Sequence, residues 1–224
     1  MCTVTYLPLE KGCIITSNRD ETIARAKAAP PASFAHGGKS LIYPKDPVGG
    51  GTWIATSETA SVCLFNGAFE AHKHNPPYRH SRGLIPINVL MEDSLETFVR
   101  SFDLDNIEPF SIVVYQREAL QELKWDGQKS HLIEHDARLP HIWASATLYS
   151  PEVRNQRKRW FQEWLDTAPD FTREHIVQFH TQQQNDHENG LLIRRKNGLQ
   201  TVSVTSIGYK EERPPEVFYK DLLI

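Results

Sequence analysis

The sequence predicts an α+β chain built as a four-layer α/β/β/α sandwich, and three observations carry that prediction. Short apolar stretches bounded by turn residues fall into two groups, one within the first seventy residues and one between residues 110 and 145. Amphipathic helical stretches lie between and after them. Neither an internal repeat nor a long biased linker divides the 224 residues, so one domain over 1–224 is expected, with two sheets face to face and helices outside.

From the N-terminus, Thr3 to Leu7 alternates with the period of a strand, Glu10-Lys11-Gly12 supplies a turn, and Cys13 to Thr16 reads as a second, more buried strand. A loop-rich stretch with Pro30-Pro31 and Gly37-Gly38 follows, then a short strand at Leu41 to Tyr43 and a Gly49-Gly50-Gly51 turn. Thr52 to Thr56 and Ser61 to Phe65 flank a short polar turn, so the first seventy residues read as one mostly antiparallel sheet. Leu95, Phe98, Val99 and Phe102 fall on one helical stripe, with Asp93 or Ser94 available as the cap. Strands are predicted at Phe110 to Tyr115, Leu120 to Trp125, His131 to His135 and His141 to Ser145. Pro151 opens a helix to Asp166 with Val153, Trp160, Phe161, Trp164 and Leu165 on one face, and Thr172 to His180 forms another. A final hairpin, Leu191 to Arg195 with Thr201 to Ile207, turns at Asn197-Gly198.

Composition excludes several function classes. A net charge of −3 from 25 basic and 28 acidic residues, with no long basic run, leaves no electrostatic footprint for nucleic acid. No apolar run approaches the ~18 residues of a membrane span. Met1-Cys2-Thr3-Val4-Thr5-Tyr6 carries neither a charged leader nor an apolar segment of signal-peptide length, so a cytoplasmic location is expected. The three cysteines, Cys2, Cys13 and Cys63, include no C-x-x-C pair, which argues for reduced thiols and against a disulfide framework or structural zinc.

Two features carry chemistry. A small residue at position 2 permits removal of Met1, which would leave Cys2 with a thiol and a free α-amine able to accept the thiol proton; the alternative is a small core residue on a strand. The second is Asn18-Arg19-Asp20-Glu21, directly after the apolar strand. A hairpin about Glu10-Lys11-Gly12 brings Cys2 and Arg19 alongside each other, where a guanidinium favours the thiolate; the alternative is a helix over Glu21 to Ala29 capped by Asn18 or Asp20, with Arg19 solvated.

Met1-Cys2, the tetrad Asn18-Arg19-Asp20-Glu21 and Gly50-Gly51-Thr52-Trp53, in that order, resemble the NRDE family, to which the animal transport and Golgi organisation protein of the second type belongs. That family is similar to the N-terminal nucleophile hydrolases, and its first hairpin resembles that of bile-salt hydrolases and penicillin V acylases. The resemblance implies the α/β/β/α sandwich. It also implies Cys2 as nucleophile, Arg19 and Asp20 as the groups that set its ionisation and orient its amine, and Asn66 as a donor to the oxyanion, although Asn66-Gly67 also reads as a turn. The family carries an Asn where this chain has Ala146, within Trp143-Ala144-Ser145-Ala146-Thr147; Ser145 or Thr147 is the candidate substitute, and Asn18, Ser145 and Thr147 are the expected substrate-binding residues.

The expected function is thus a cysteine N-terminal nucleophile amidohydrolase or acyltransferase that acts on a non-peptide C–N amide of a small molecule and needs no metal or organic cofactor. The alternative is a non-catalytic binding or carrier protein of lipid- or haem-related trafficking, as family membership implies. Specificity would reside in the loops Ala24 to Lys39 and Glu70 to Arg82. His72, His74 and His80 read as a polar loop rather than a metal site, and Arg154, Arg157, Lys158 and Arg159 as a solvated helix face.

Overall fold

The computed structural model describes residues 3–167 and 170–223. Twelve described strands form two antiparallel sheets. They are β1 (Thr3–Leu9), β2 (Gly12–Thr22), β3 (Ala29–His36), β4 (Lys39–Lys45), β5 (Ile54–Thr56), β6 (Ala60–Asn66), β7 (Phe110–Gln116), β8 (Ala119–Trp125), β9 (Ser130–His135), β10 (His141–Ala144), β11 (Leu199–Lys210) and β12 (Glu216–Asp221). One sheet has five strands in the order β10-β1-β2-β11-β12, the other seven in the order β3 to β9. The helices are α1 (Ile85–Met91), α2 (Leu95–Ser101), α3 (Pro151–Thr167) and α4 (Arg173–His180).

Strand alternation builds the layers. In β6, Cys63 and Phe65 belong to the cluster between the sheets with Val4, Tyr6, Cys13 and Ile15, whereas Val62 and Leu64 face outward into a cluster with Ile85, Leu90 and Phe98 of α1 and α2. In the smaller sheet Leu7 and Ile14 face outward to Phe161 and Phe179 of α3 and α4. The four-layer α/β/β/α sandwich follows. Ser94 caps α2 by accepting from the Thr97 N–H at 3.2 Å, and Thr172 caps α4 through His175 at the same distance.

Several expectations are corrected. The sheets do not divide by sequence order: β1 and β2 pair with β10 and β11, so the first seventy residues contribute to both sheets. No helix follows the tetrad; β2 continues to Thr22 because β11 runs beside it and satisfies its backbone, overriding the helix propensity of the alanine-rich stretch. Residues 29–36, expected as loop, form β3, and Pro30 and Pro31 are tolerated there because β3 is a sheet edge. Leu191 to Arg195 is not a strand and contributes one bridge, Arg194 to Gln200. The strand that pairs with β11 in its place is β12, whose alternating Val217 and Tyr219 were the missed signal. Helix α1, with Pro86 in its first turn, was also missed, since its Ile, Val and Leu residues read equally well as strand.

Candidate active site

The pleat of β2 splits the tetrad. Asn18 and Asp20 point to the outer face of the five-stranded sheet, and Arg19 points the other way. Asn18 is fully buried, and its amide donates to the carbonyls of His180 (3.2 Å) and Leu191 (2.7 Å). Its Oδ1 lies 2.7 Å from His180 Nδ1, and His180 Nε2 lies 2.8 Å from Thr5 Oγ1. Because a carbonyl oxygen only accepts, Nδ1 carries the proton and Nε2 accepts from the threonine hydroxyl. Burial, with Arg157 close by, lowers the His180 pKa to about 3, so the ring is neutral. Asn18 therefore ties α4 to the sheet, and its amide is not offered to a substrate. The Asp20 carboxylate accepts from Tyr149 (2.7 Å) and Thr201 (2.6 Å) and is also buried.

Arg19 is 4% exposed, yet it lines a cavity of about 130 Å³ with Asp46, Trp53, Asn66 and Arg82. Its guanidinium stands 4.8 Å from the Trp53 ring and 3.2 Å from Asp46 Oδ2, with Glu21 at 3.8 Å. Burial pushes the Asp46 carboxyl up, but hydrogen bonds from Arg25 and the N–H groups of Val48 and Gly49 outweigh it, and the net shift is downward. The glycine of the glycine-threonine-tryptophan stretch has a packing reason. A Cβ on Gly51 would fall 2.1 Å from the Gly83 carbonyl oxygen, where Thr52 N–H donates to that same oxygen at 2.8 Å. The solvated-arginine alternative is excluded.

Asn66 ends β6 at this cavity, and its side-chain amide makes no hydrogen bond among the described residues. Ser145 donates to the Asn66 carbonyl at 2.9 Å, so its hydroxyl proton is committed to backbone. Thr147 Oγ1 is buried and has no partner among the described residues. Gly67, at φ 80, permits the approach: a Cβ there would lie 2.6 Å from Thr147 Oγ1 and 3.3 Å from the Ala146 methyl. Asn66, Ser145 and Thr147 thus come together, Arg19 shares the cavity with Asn66, and Asn18 lies on the far face.

Cys2 lies outside the described residues. Its sequence neighbour Thr3 pairs with Asn18 in the β1–β2 register. Cys13 and Cys63 are fully buried; burial raises the Cys13 thiol well above its ordinary value and pushes Cys63 up to about 12.

Two residues were missed as structural centres. Arg157, expected on a solvated face, is 0% exposed. It donates to Thr3 Oγ1 and to the carbonyls of Asn189 and Gly190, and stacks 3.7 Å over the Tyr149 ring. Its spacing held the signal, since Val153, Arg157 and Phe161 follow one another at four-residue steps along the buried stripe. His180 likewise follows Ile176 by four on α4. The histidine loop resolves differently: His72 Nε2 and His74 Nδ1 each lie 3.1 Å from Glu108 Oε1, and among the described residues no group of three or more possible ligands could hold a metal ion.

Among the described residues no helix is long and apolar enough to cross a membrane. No curated protein matches the chain. Among solved structures, a variant of conjugated bile acid hydrolase from Clostridium perfringens is similar at TM-score 0.51 and 9% identity, covering 99% of this chain and 92% of that one. At that identity the likeness is one of fold, the four-layer α/β/β/α sandwich described above. The family model described as Transport and Golgi organisation 2 matches residues 1–212. With almost the whole chain matched, the protein belongs to the Transport and Golgi organisation 2 family, the NRDE family.

Proposed function

We propose that this protein is a cysteine N-terminal nucleophile amidohydrolase or acyltransferase acting on the C–N amide of a small non-peptide molecule, with no metal or organic cofactor. The observation that supports it most is the Arg19 cavity: a buried guanidinium beside an unspent Asn66 amide, on the strand paired with the one that begins at Thr3. In this reading Met1 is removed and the Cys2 α-amine takes the thiol proton. The sulfur then bonds to the amide carbon, Asn66 donates to the oxygen as it becomes negative, and the C–N bond breaks as the proton passes to the leaving amine. Water, or an acceptor amine, attacks the thioester, releases the acyl group and returns the proton to sulfur. Arg19 favours the thiolate, and Asp20, which accepts from two hydroxyls among the described residues and has lone pairs beyond those, orients the amine. Thr147 and Ser145 border the acyl position.

The test is intact mass of protein from its native host, followed by an amide panel. The mature chain is expected to lack Met1 and to release product, while Cys2→Ser and a Met1-retaining form do not. Thiol alkylation followed against pH should place Cys2 below a model cysteine, and Arg19→Gln should move the profile up. Quantitative retention of Met1 would overturn the mechanism. A second reading, a binding or carrier protein on the same fold, is favoured by Ala146, which offers no donor, and by the Ser145 proton already given to backbone. A transient acyl adduct on Cys2 in single-turnover mass spectra separates the two.

A further inference from the structure

A second and larger cavity, of about 610 Å³, opens at the edge of the sandwich, where β10 and α3 of one half meet β8 and β9 of the other. Its wall carries the cations Lys124, Arg154, Arg157 and Lys158 against the single carboxylate of Glu122. This local excess of three positive charges sits in a chain whose net charge is −3.

Lys124 is paired with Glu122 at 2.7 Å. Arg154, Arg157 and Lys158 make no ion pair among the described residues, and the Nε–H groups of both Arg154 and Arg157 are buried without an acceptor. A buried guanidinium donor left unpaired costs free energy that an incoming oxyanion returns as charge-assisted hydrogen bonds. Pro151 and Arg154 belong to the first turn of the seventeen-residue α3, so the positive end of that helix also faces the cavity. Trp143, half-buried, supplies a flat apolar wall.

We infer that this cavity binds a small organic oxyanion, a carboxylate or a phosphate monoester on a flat apolar body, with the anion at Arg154 and Lys158 and the body against Trp143. The site does not depend on the reading of Cys2.

Titration of the full chain with phenyl phosphate, benzoate and inorganic phosphate, followed by tryptophan fluorescence and repeated by calorimetry, tests it. At least one aromatic anion should quench saturably and bind at least about tenfold more tightly than inorganic phosphate, with neutral benzyl alcohol not competing. The double change Arg154→Gln with Lys158→Gln should weaken binding about tenfold or more, whereas Arg100→Gln on α2 should leave it unchanged. Trp143→Phe should abolish most of the quench while calorimetric binding persists. Absence of saturable binding by both aromatic anions, equal binding in the double variant, or quench retained in Trp143→Phe would each overturn the assignment.

Discussion

Lowering the pH from 7.5 to 5.0 reaches few groups in this chain as directly as the His180 imidazole, which is fully buried, bonded on both nitrogens and close to the Arg157 cation. Its pKa in the fold is about 3 against an ordinary 6.5. The folded value lies below the unfolded one, so between these limits the unfolded chain binds a proton that the native chain refuses. The stabilisation is fully present above pH 6.5 and is lost as the pH falls toward 3. Each pH unit in that window costs about 1.4 kcal/mol, which gives about 2 kcal/mol at pH 5. Asp46, Glu108 and Glu122, whose pKa values are lowered, lose their contribution only at more acid pH; His141, lowered by burial, acts in the same sense as His180. Urea unfolding at pH 7.5, 6.5, 5.5 and 5.0 measures the slope. His180→Gln should lose about 1–3 kcal/mol at pH 7.5 from the broken hydrogen bonds and flatten most of the pH dependence between 6.5 and 5.0. A wild-type stability flat over that range, or an unchanged slope in His180→Gln, would refute the reasoning.

Arg157→Met should destabilise by about 2–4 kcal/mol in urea unfolding at pH 7.5, since the carbonyls of Asn189 and Gly190 lose their charged donor; by removing a cation it should also raise the His180 pKa, though burial still keeps the ring neutral at pH 7.5. Gly51→Ala should cost about 1–3 kcal/mol in thermal or urea unfolding because its methyl meets the Gly83 backbone, whereas Gly208→Ala, with nothing within 4 Å, should stay within about 0.5 kcal/mol. Cys13 and Cys63 should resist iodoacetamide at pH 7.5 until the chain unfolds, and peptide mapping through the urea transition should show both modified together; early reaction of either would contradict its burial.

Much of the architecture was legible because periodicity reports burial. The stripe of Phe98 on α2, the apolar run of β7 and the Ser94 cap are local patterns, each set by residues a few positions apart. Edge strands were harder, since β3 and β12 bury little and their prolines and charges argue for loop. Of the site only pieces were legible: Arg19 and Asn66 line one cavity and Ser145 donates to the Asn66 carbonyl, whereas Asn18 serves the opposite face and Cys2 lies outside the described residues.

What local pattern left open was the direction in which each side chain faces and the strand each strand joins. Asn18, Arg19 and Asp20 are consecutive polar residues, and nothing in their own stretch distinguishes a capped helix from a strand. Pairing with β11, about 180 residues later in the chain, makes them a strand, and the pleat then sends Arg19 into a cavity while Asn18 and Asp20 hold α4 and the Tyr149 loop. Arg157 shows the same limit. A charged residue on an apolar stripe is read as solvated, unless carbonyls from residues 189 and 190 and the Thr3 hydroxyl arrive from distant parts of the chain to receive its donors. Composition and periodicity determine which residues must leave water; partners for buried polar groups come from sequence-distant segments, so their placement is decided only when the sheets close on one another.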